Sequence, residues 1–266
     1  MPLKDTKYKH NQTILKRFSN GIETRYKLVT CKCVRNSGVE DDNDKGKRCT
    51  ANLEKTDESI SRTRSRIFEL AFCNEWQWFF TATLDPKKYI RTDLDKFHKD
   101  LTQWFRDYNK AHHTSIKFLL IPELHSDGVS WHMHGLLAGL PPSELRRFQI
   151  GDTMGATLAD KVIRGDVVYN WLPYFKKFGF CDIEPIRSHE AVCKYITKYI
   201  SKSLENSVTE LNAHMYYCSR GLNRAETIKK GTMLDDIAPE FENDYCKVTW
   251  FEDNPLILQY LLDNIH

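Results

Sequence analysis

The architecture turns on one stretch, Ile116-Lys117-Phe118-Leu119-Leu120-Ile121-Pro122-Glu123-Leu124-His125-Ser126-Asp127-Gly128-Val129-Ser130-Trp131-His132-Met133-His134-Gly135-Leu136-Leu137-Ala138-Gly139-Leu140. Its first eight residues are an apolar run that reads as a buried strand. Ser126-Asp127-Gly128 is turn chemistry. From Ser130 to Leu140 the chain reads as a second strand, which Pro141-Pro142 ends. Two strands joined by so short a turn pair antiparallel. Side chains alternate faces in a strand, so His132 and His134 share one face while Trp131 and Met133 turn to the other, into apolar packing. In the preceding strand Leu119, Ile121, Glu123 and His125 share a face, and the turn folds Glu123 back beside the histidine pair.

Working outward, residues 76–84 (Trp-Gln-Trp-Phe-Phe-Thr-Ala-Thr-Leu) form another strand, stopped by Asp85-Pro86. Between these strands lies the clearest helix. Leu94, Phe97, Leu101, Trp104, Phe105 and Tyr108 follow the helical period, with Thr92 as N-cap and Asp95 at the third helical position. On the near side, residues 61–72 read as a basic helix and residues 1–60 as irregular, with a charged, turn-rich segment from Asn36 to Gly46. On the far side, residues 143–148 begin a short helix, residues 151–177 carry no clear pattern, and residues 178–186 form a fourth strand. Ser188 caps a helix running to about Ser203. Tyr216-Tyr217-Cys218 and residues 246–251 read as short strands, and residues 255–265 as a closing helix. The expected fold class is α+β: an antiparallel β-sheet with helices packed on one face. The expected division is an irregular or accessory segment at 1–60, a functional domain at 61–205 and a C-terminal extension at 206–266.

Composition excludes several classes. A hydrophobic fraction of 41% with 14 Phe, 12 Tyr and 6 Trp supports a core and argues against disorder. No run of 18 apolar residues exists, so no membrane span or membrane partner is expected, and residues 1–20 lack the apolar stretch of a secretory signal. A cytoplasmic setting is expected, with the eight cysteines as thiols. Cys31, Cys33 and Cys49 match no zinc-ribbon spacing. The net charge of +3 says little about nucleic acid. Its distribution says more: Arg62, Arg64 and Arg66 alternate in one stretch, and Lys194, Lys198 and Lys202 recur every four residues, on one helix face. These are candidate DNA contacts, against the plainer reading of a solvated face.

Two constellations carry chemistry. His132 and His134, about 6–7 Å apart along a strand, can share one divalent ion, and Glu123 adds a carboxylate. Two imidazoles, a carboxylate and open water positions suit Mg²⁺ or Mn²⁺ acting on a phosphate. His125 has the right parity to serve as an alternative ligand or an outer partner. Asp127 is a rival ligand, although its place beside Gly128 fits the turn better. The plainer reading is two surface histidines. The second constellation is Tyr195-Ile196-Thr197-Lys198-Tyr199-Ile200-Ser201-Lys202. On a helix Tyr195 and Tyr199 lie one turn apart, with Ile196 and Ile200 as a docking stripe and Lys198 and Lys202 alongside. A free phenol, with a pKa near 10, is a poor nucleophile at neutral pH; a nearby cation favours its ionised form. Two core tyrosines are the commoner meaning of such a pattern taken alone.

Taken in order, Phe79 to Asp85, Glu123 to Gly135 and Tyr195 to Lys202 resemble the three motifs of the HUH endonucleases of rolling-circle replication. The Tyr-x-x-Lys-Tyr-x-x-Lys form is similar to the two-tyrosine initiators of small single-stranded DNA phages and related plasmid proteins. The resemblance covers about residues 70–205. It implies an HUH/RRM-like palm, with Glu123, His132 and His134 holding Mg²⁺ or Mn²⁺. It further implies attack by Tyr199 or Tyr195, with Tyr199 favoured because single-tyrosine relatives match the second position. Lys198 and Lys202 would stabilise developing charge, and Lys194, Arg62, Arg64 and Arg66 would contact DNA. The implied act is nicking of single-stranded DNA, or of a supercoiled replicon origin, to leave a 5′-phosphotyrosine and a free 3′-OH. No Gly-x-x-x-x-Gly-Lys-[Ser/Thr] loop occurs, so unwinding and synthesis would fall to a host helicase and polymerase, in a bacterial cell or a phage-infected host. The His pair precedes the tyrosines, unlike the order in conjugative relaxases. Alternatives are a single-strand transposase of the same superfamily, a non-catalytic single-stranded nucleic-acid-binding module with aromatics on an exposed sheet face, and a structural metalloprotein built on the cysteines.

Overall fold

The computed structural model describes residues 8–35, 53–197 and 215–266, with side chains over 11–32, 60–197 and 215–266. The chain divides into two compact units, one made of residues 1–58 with 223–266 and the other of residues 59–222. The fold class is α+β, as expected, but with two antiparallel sheets where one was expected.

In the first unit, β1 (Tyr8–Ser19) and β2 (Thr24–Arg35) form a long hairpin. The segment read as irregular is therefore regular over these strands. The overlooked signal is Asn20-Gly21: Asn20 Oδ1 accepts from the backbone N–H groups of Ile22 and Glu23 at 2.9 and 2.8 Å, and Gly21 takes φ 88°. β10 (Glu226–Thr232) pairs with β1, and β12 (Cys246–Glu252) pairs with β2 and with β11 (Phe241–Glu242). Helix α6 (Pro255–Asn264) closes this unit. Asn254 caps it and Pro255 occupies its first turn, where a missing N–H costs nothing. Leu261 and Ile265 bury against Leu15, Tyr26 and Leu28.

The second unit holds a seven-stranded sheet in the order β6-β7-β8-β3-β5-β4-β9. Its strands are β3 (Trp78–Thr83), β4 (Lys117–Leu124), β5 (Trp131–Ala138), β6 (Leu145–Arg147), β7 (Tyr169–Trp171), β8 (Cys181–Pro185) and β9 (Tyr217–Cys218). Most of α1 (Leu53–Phe72) belongs here, with α2 (Leu94–His112), α3 (Ala156–Ile163), α4 (Leu172–Lys177) and the described part of α5, residues 189–197. The helical period of α2 buries Phe97, Leu101, Phe105 and Tyr108. These pack with Phe80, Met133, Leu137, Leu120 and Ile183 from one face of the sheet, and with Trp171, Tyr174 and Phe178 around α4. Each such side chain, fully buried, contributes about 1.5–3 kcal/mol.

Three local expectations change. Asp93, not Thr92, caps α2, its side chain accepting from Lys96 N. Residues 143–148 are not a helix: a 3₁₀ turn at Pro142–Glu144 passes into β6. Glu144 explains the arrest, because its carboxylate accepts from Trp171 Nε1 at 3.0 Å and from the Tyr108 hydroxyl, which pins the chain to the core. Helices also flank both faces of this sheet rather than one. Phe79, opposite in parity to Phe80, meets Tyr195 of α5 at 5.3 Å between ring centroids. Ser188 does begin α5, its Oγ accepting from Ala191 N at 3.2 Å. No helix among the described residues is long and apolar enough to cross a membrane.

Candidate metal centre and adjoining helix

Register places the site. Glu123 of β4 lies opposite His132 of β5, and Ile121 lies opposite His134, so Glu123 and both histidines stand on one face. Asp127 holds the turn that returns the chain: its Oδ1 accepts from Val129 N at 3.0 Å and Ser130 N at 2.8 Å. The hydrogen bonds from Ser130 and Val129 keep its carboxyl well below the usual range. Gly135 lets β4 and β5 approach: a Cβ there would lie 2.2 Å from the Leu119 carbonyl oxygen.

Glu123, His132 and His134 offer ligand atoms that all lie within 4.8 Å of one another, and they can hold a metal ion. Glu123 Oε2 is 3.1 Å from His132 Nε2 and 2.8 Å from His134 Nε2, and the two Nε2 atoms are 3.2 Å apart. The side chains are 20%, 17% and 12% exposed in that order, so the cluster is recessed but reachable. Burial alone would raise the Glu123 carboxyl; the hydrogen bonds and charge of His132 and His134 outweigh it and hold it at about 2. The donors fit a divalent ion: two imidazole nitrogens and one carboxylate oxygen converge from one side, leaving the other side open. They do not single out one metal. His125 lies beside the site, its ring 5.6 Å from that of His132, but Ser126 Oγ is 3.1 Å from its Nδ1 and it falls outside the converging set.

The sheet continues this polar row. Thr81 of β3 lies opposite His134 on one side and Asp182 of β8 on the other. Thr81 Oγ1 is 3.2 Å from His134 Nδ1, and its hydroxyl also hydrogen-bonds to the Asp182 carboxylate. Burial pushes the Asp182 carboxyl up; Lys161 of α3 draws it back while Glu184 adds to the rise. Lys161 Nζ is 2.6 Å from Glu184 Oε1. Sequence reasoning gave Thr81 and Asp182 no role. Strand parity carried back from His134 would have found Thr81; Asp182 needed the strand order.

Helix α5 stands on this face. Val192, Cys193 and Ile196 are buried, His189 Nε2 meets the Asn74 carbonyl at 3.1 Å, and its ring packs edge-on against Phe72. Tyr195 is 46% exposed. Its ring packs on Phe79, which stacks over His134 at 6.0 Å between centroids. Phe79 thus lies between Tyr195 and His134. Tyr199, Lys198 and Lys202 lie outside the described residues. Lys194 is exposed and pairs with Glu190 at 2.8 Å. Arg62, Arg64 and Arg66 are on α1, remote in sequence from the cluster; Arg66 pairs with Glu69 at 2.8 Å. The described cysteines, Cys31, Cys73, Cys181, Cys193, Cys218 and Cys246, form no disulfide.

Residues 77–204 match the family model described as Replication-associated protein ORF2/G2P, just under half of the chain. The match spans the cluster, Thr81, Asp182 and Tyr195, and it supports a replication initiator. No curated protein and no solved structure matches the chain.

Proposed function

We propose that this chain is a rolling-circle replication initiator of the two-tyrosine HUH type, nicking single-stranded DNA at an origin. One observation carries the reading: Glu123, His132 and His134 converge on the sheet face on which α5 sets Tyr195. The family similarity over residues 77–204 supplies the replication context.

Glu123 Oε and the two Nε2 atoms would hold Mg²⁺ or Mn²⁺. Such an ion withdraws charge from a phosphate oxygen and makes the phosphorus a better electrophile. Holding the ion requires an ionised carboxylate, and the low pKa of Glu123 meets that requirement at physiological pH. Tyr199, favoured by the resemblance, or Tyr195 gives up its phenolic proton and attacks the scissile phosphorus. The P–O3′ bond breaks, the departing 3′ oxygen takes up a proton, and the 5′ phosphate stays on the tyrosine. The free 3′-OH primes synthesis by a host polymerase, with a host helicase opening the duplex. The second tyrosine repeats the attack after one round and releases a circle. Lys198 and Lys202 would offset charge at the transferring phosphate, with Lys194, Arg62, Arg64 and Arg66 along the strand.

The test uses labelled single-stranded oligonucleotides tiling the replicon that encodes the chain. Label should transfer to the protein, resist denaturation and require Mg²⁺ or Mn²⁺. The double variant His132→Ala/His134→Ala should stay folded and transfer none; transfer at the wild-type rate by that variant would overturn the reading.

A further inference from the structure

The polar row of the seven-stranded sheet does not end at the metal candidate. Asp182, Thr81 and His134 sit at opposed register positions on three neighbouring strands, β8, β3 and β5. Thr81 Oγ1 touches both ends of the row: His134 Nδ1 at 3.2 Å and the Asp182 carboxylate.

A hydroxyl has one proton to donate and two lone pairs to accept with. An ionised carboxylate can only accept; burial raises the Asp182 carboxyl, while Lys161 and the hydrogen bond from Thr81 act toward its ionised form. The single Thr81 proton therefore goes to Asp182. Toward His134, Thr81 can then only accept, so Nδ1 of that ring must carry a proton. The remaining nitrogen, Nε2, faces Glu123 and His132.

We propose that Thr81 and Asp182 are positioning residues, forming an Asp182–Thr81–His134 chain that fixes the His134 ring and gives an Nδ1 proton its acceptor, so that Nε2 is the nitrogen turned to a divalent ion. The inference rests on the reading of Glu123, His132 and His134 as a metal centre, but it makes a claim of its own about the protein without metal. An imidazole that binds through one nitrogen gains from an acceptor fixed on the other, which sets tautomer and orientation together. Thr81 supplies the acceptor and Asp182 keeps it one. The chain also explains a threonine at a strand position whose neighbours of the same parity include Phe79: valine would fill the same space and leave Nδ1 without this acceptor.

Two readouts separate this role from packing. In metal-free protein labelled with ¹⁵N-histidine, long-range nitrogen–proton correlation should show His134 Nδ1 protonated. Thr81→Val, close to threonine in shape, should remove the proton from Nδ1 and leave one only on Nε2, which faces Glu123. By calorimetry, Mn²⁺ affinity should fall about 10–100-fold in Thr81→Val, stay near wild type in Thr81→Ser, and fall in the same direction in Asp182→Asn, with thermal midpoints little changed. The proposal is overturned by a wild-type His134 protonated on Nε2 alone, by Thr81→Val with wild-type tautomer and affinity, or by Thr81→Ser as weak as Thr81→Val, which would make the role steric. Asp182→Asn at wild-type affinity would remove Asp182 from the chain. Should wild-type protein bind no divalent ion, the metal reading fails, while the nitrogen spectra still decide whether Thr81 sets the tautomer.

Discussion

The two faces of the seven-stranded sheet are made by the same strands and do opposite work. On one face Phe80, Ala82, Met133, Leu137, Leu120 and Ile183 are sealed under α2 and α4. On the other, Leu119 and Leu136 are equally buried, but one or two positions further along each strand the side chains become Ile121, Glu123, His134, His132, Thr81 and Asp182. A strand that is apolar on one side can place polar groups on the other to within a fraction of an ångström, because the packed side fixes its register. The sealed face thus holds the histidines still, and the polar row uses that rigidity to bring three ligand atoms together without a loop.

If the faces divide labour in this way, damage to each should have a different signature. The largest effect belongs to the polar face. His134→Ala should remove divalent-ion binding by more than the roughly 10–100-fold that loss of an outer partner costs, abolish nicking, and leave the urea midpoint nearly unchanged. Next comes the sealed face: Phe105→Ala should cost about 3–5 kcal/mol of unfolding free energy, yet the molecules that remain folded should bind Mn²⁺ normally by calorimetry. A strong loss of affinity there would mean that the faces are not separable. Gly135→Ala should strike both at once. Its Cβ would collide with the Leu119 carbonyl, costing about 1–3 kcal/mol and weakening ion binding, since the strands carrying Glu123 and His134 must part. Asp127→Ala removes two turn hydrogen bonds at an exposed site and should lower the midpoint of the same urea titration less than Phe105→Ala does.

A further effect is one of pH. The Glu123 carboxyl is held at about 2, below its ordinary 4.5. A depressed carboxyl stabilises the folded state above the ordinary value, and that contribution is lost as pH falls from 4.5 toward 2. Glu123→Gln should therefore flatten the acid limb of stability against pH between those values and lower the neutral plateau, where the carboxylate's contribution is fully present. An unchanged acid limb would show that the histidine contacts do not act on Glu123 in solution.

Legibility in the sequence followed the same division. The hairpin of β4 and β5 could be read because its alternation is strong and its turn chemistry local: Asp127 beside Gly128, then Trp131 and Met133 against His132 and His134. Glu123 followed from parity across that turn. The β1–β2 hairpin escaped because Lys9, His10, Lys16, Arg17, Arg25, Lys27 and Lys32 mask the alternation of Leu15, Tyr26 and Leu28, although Asn20-Gly21 marked its turn. The start of α2 shifted by one residue because Thr92 and Asp93 are both good caps, and only backbone geometry chooses between them. Thr81 and Asp182 were invisible as partners of His134 for another reason. They lie 53 residues before it in sequence in one case and on a separate strand after it in the other, and no local pattern encodes which strands become neighbours.

Nicking by the proposed route leaves a covalent bond between a tyrosine and the 5′ phosphate. Protein incubated with Mg²⁺ or Mn²⁺ and a nicked oligonucleotide should be digested and the cross-linked peptide sequenced by mass spectrometry. A 5′-phosphate adduct is expected on Tyr199 or Tyr195, absent from the His132→Ala/His134→Ala protein. Nicking with an adduct on neither tyrosine would contradict the proposed route.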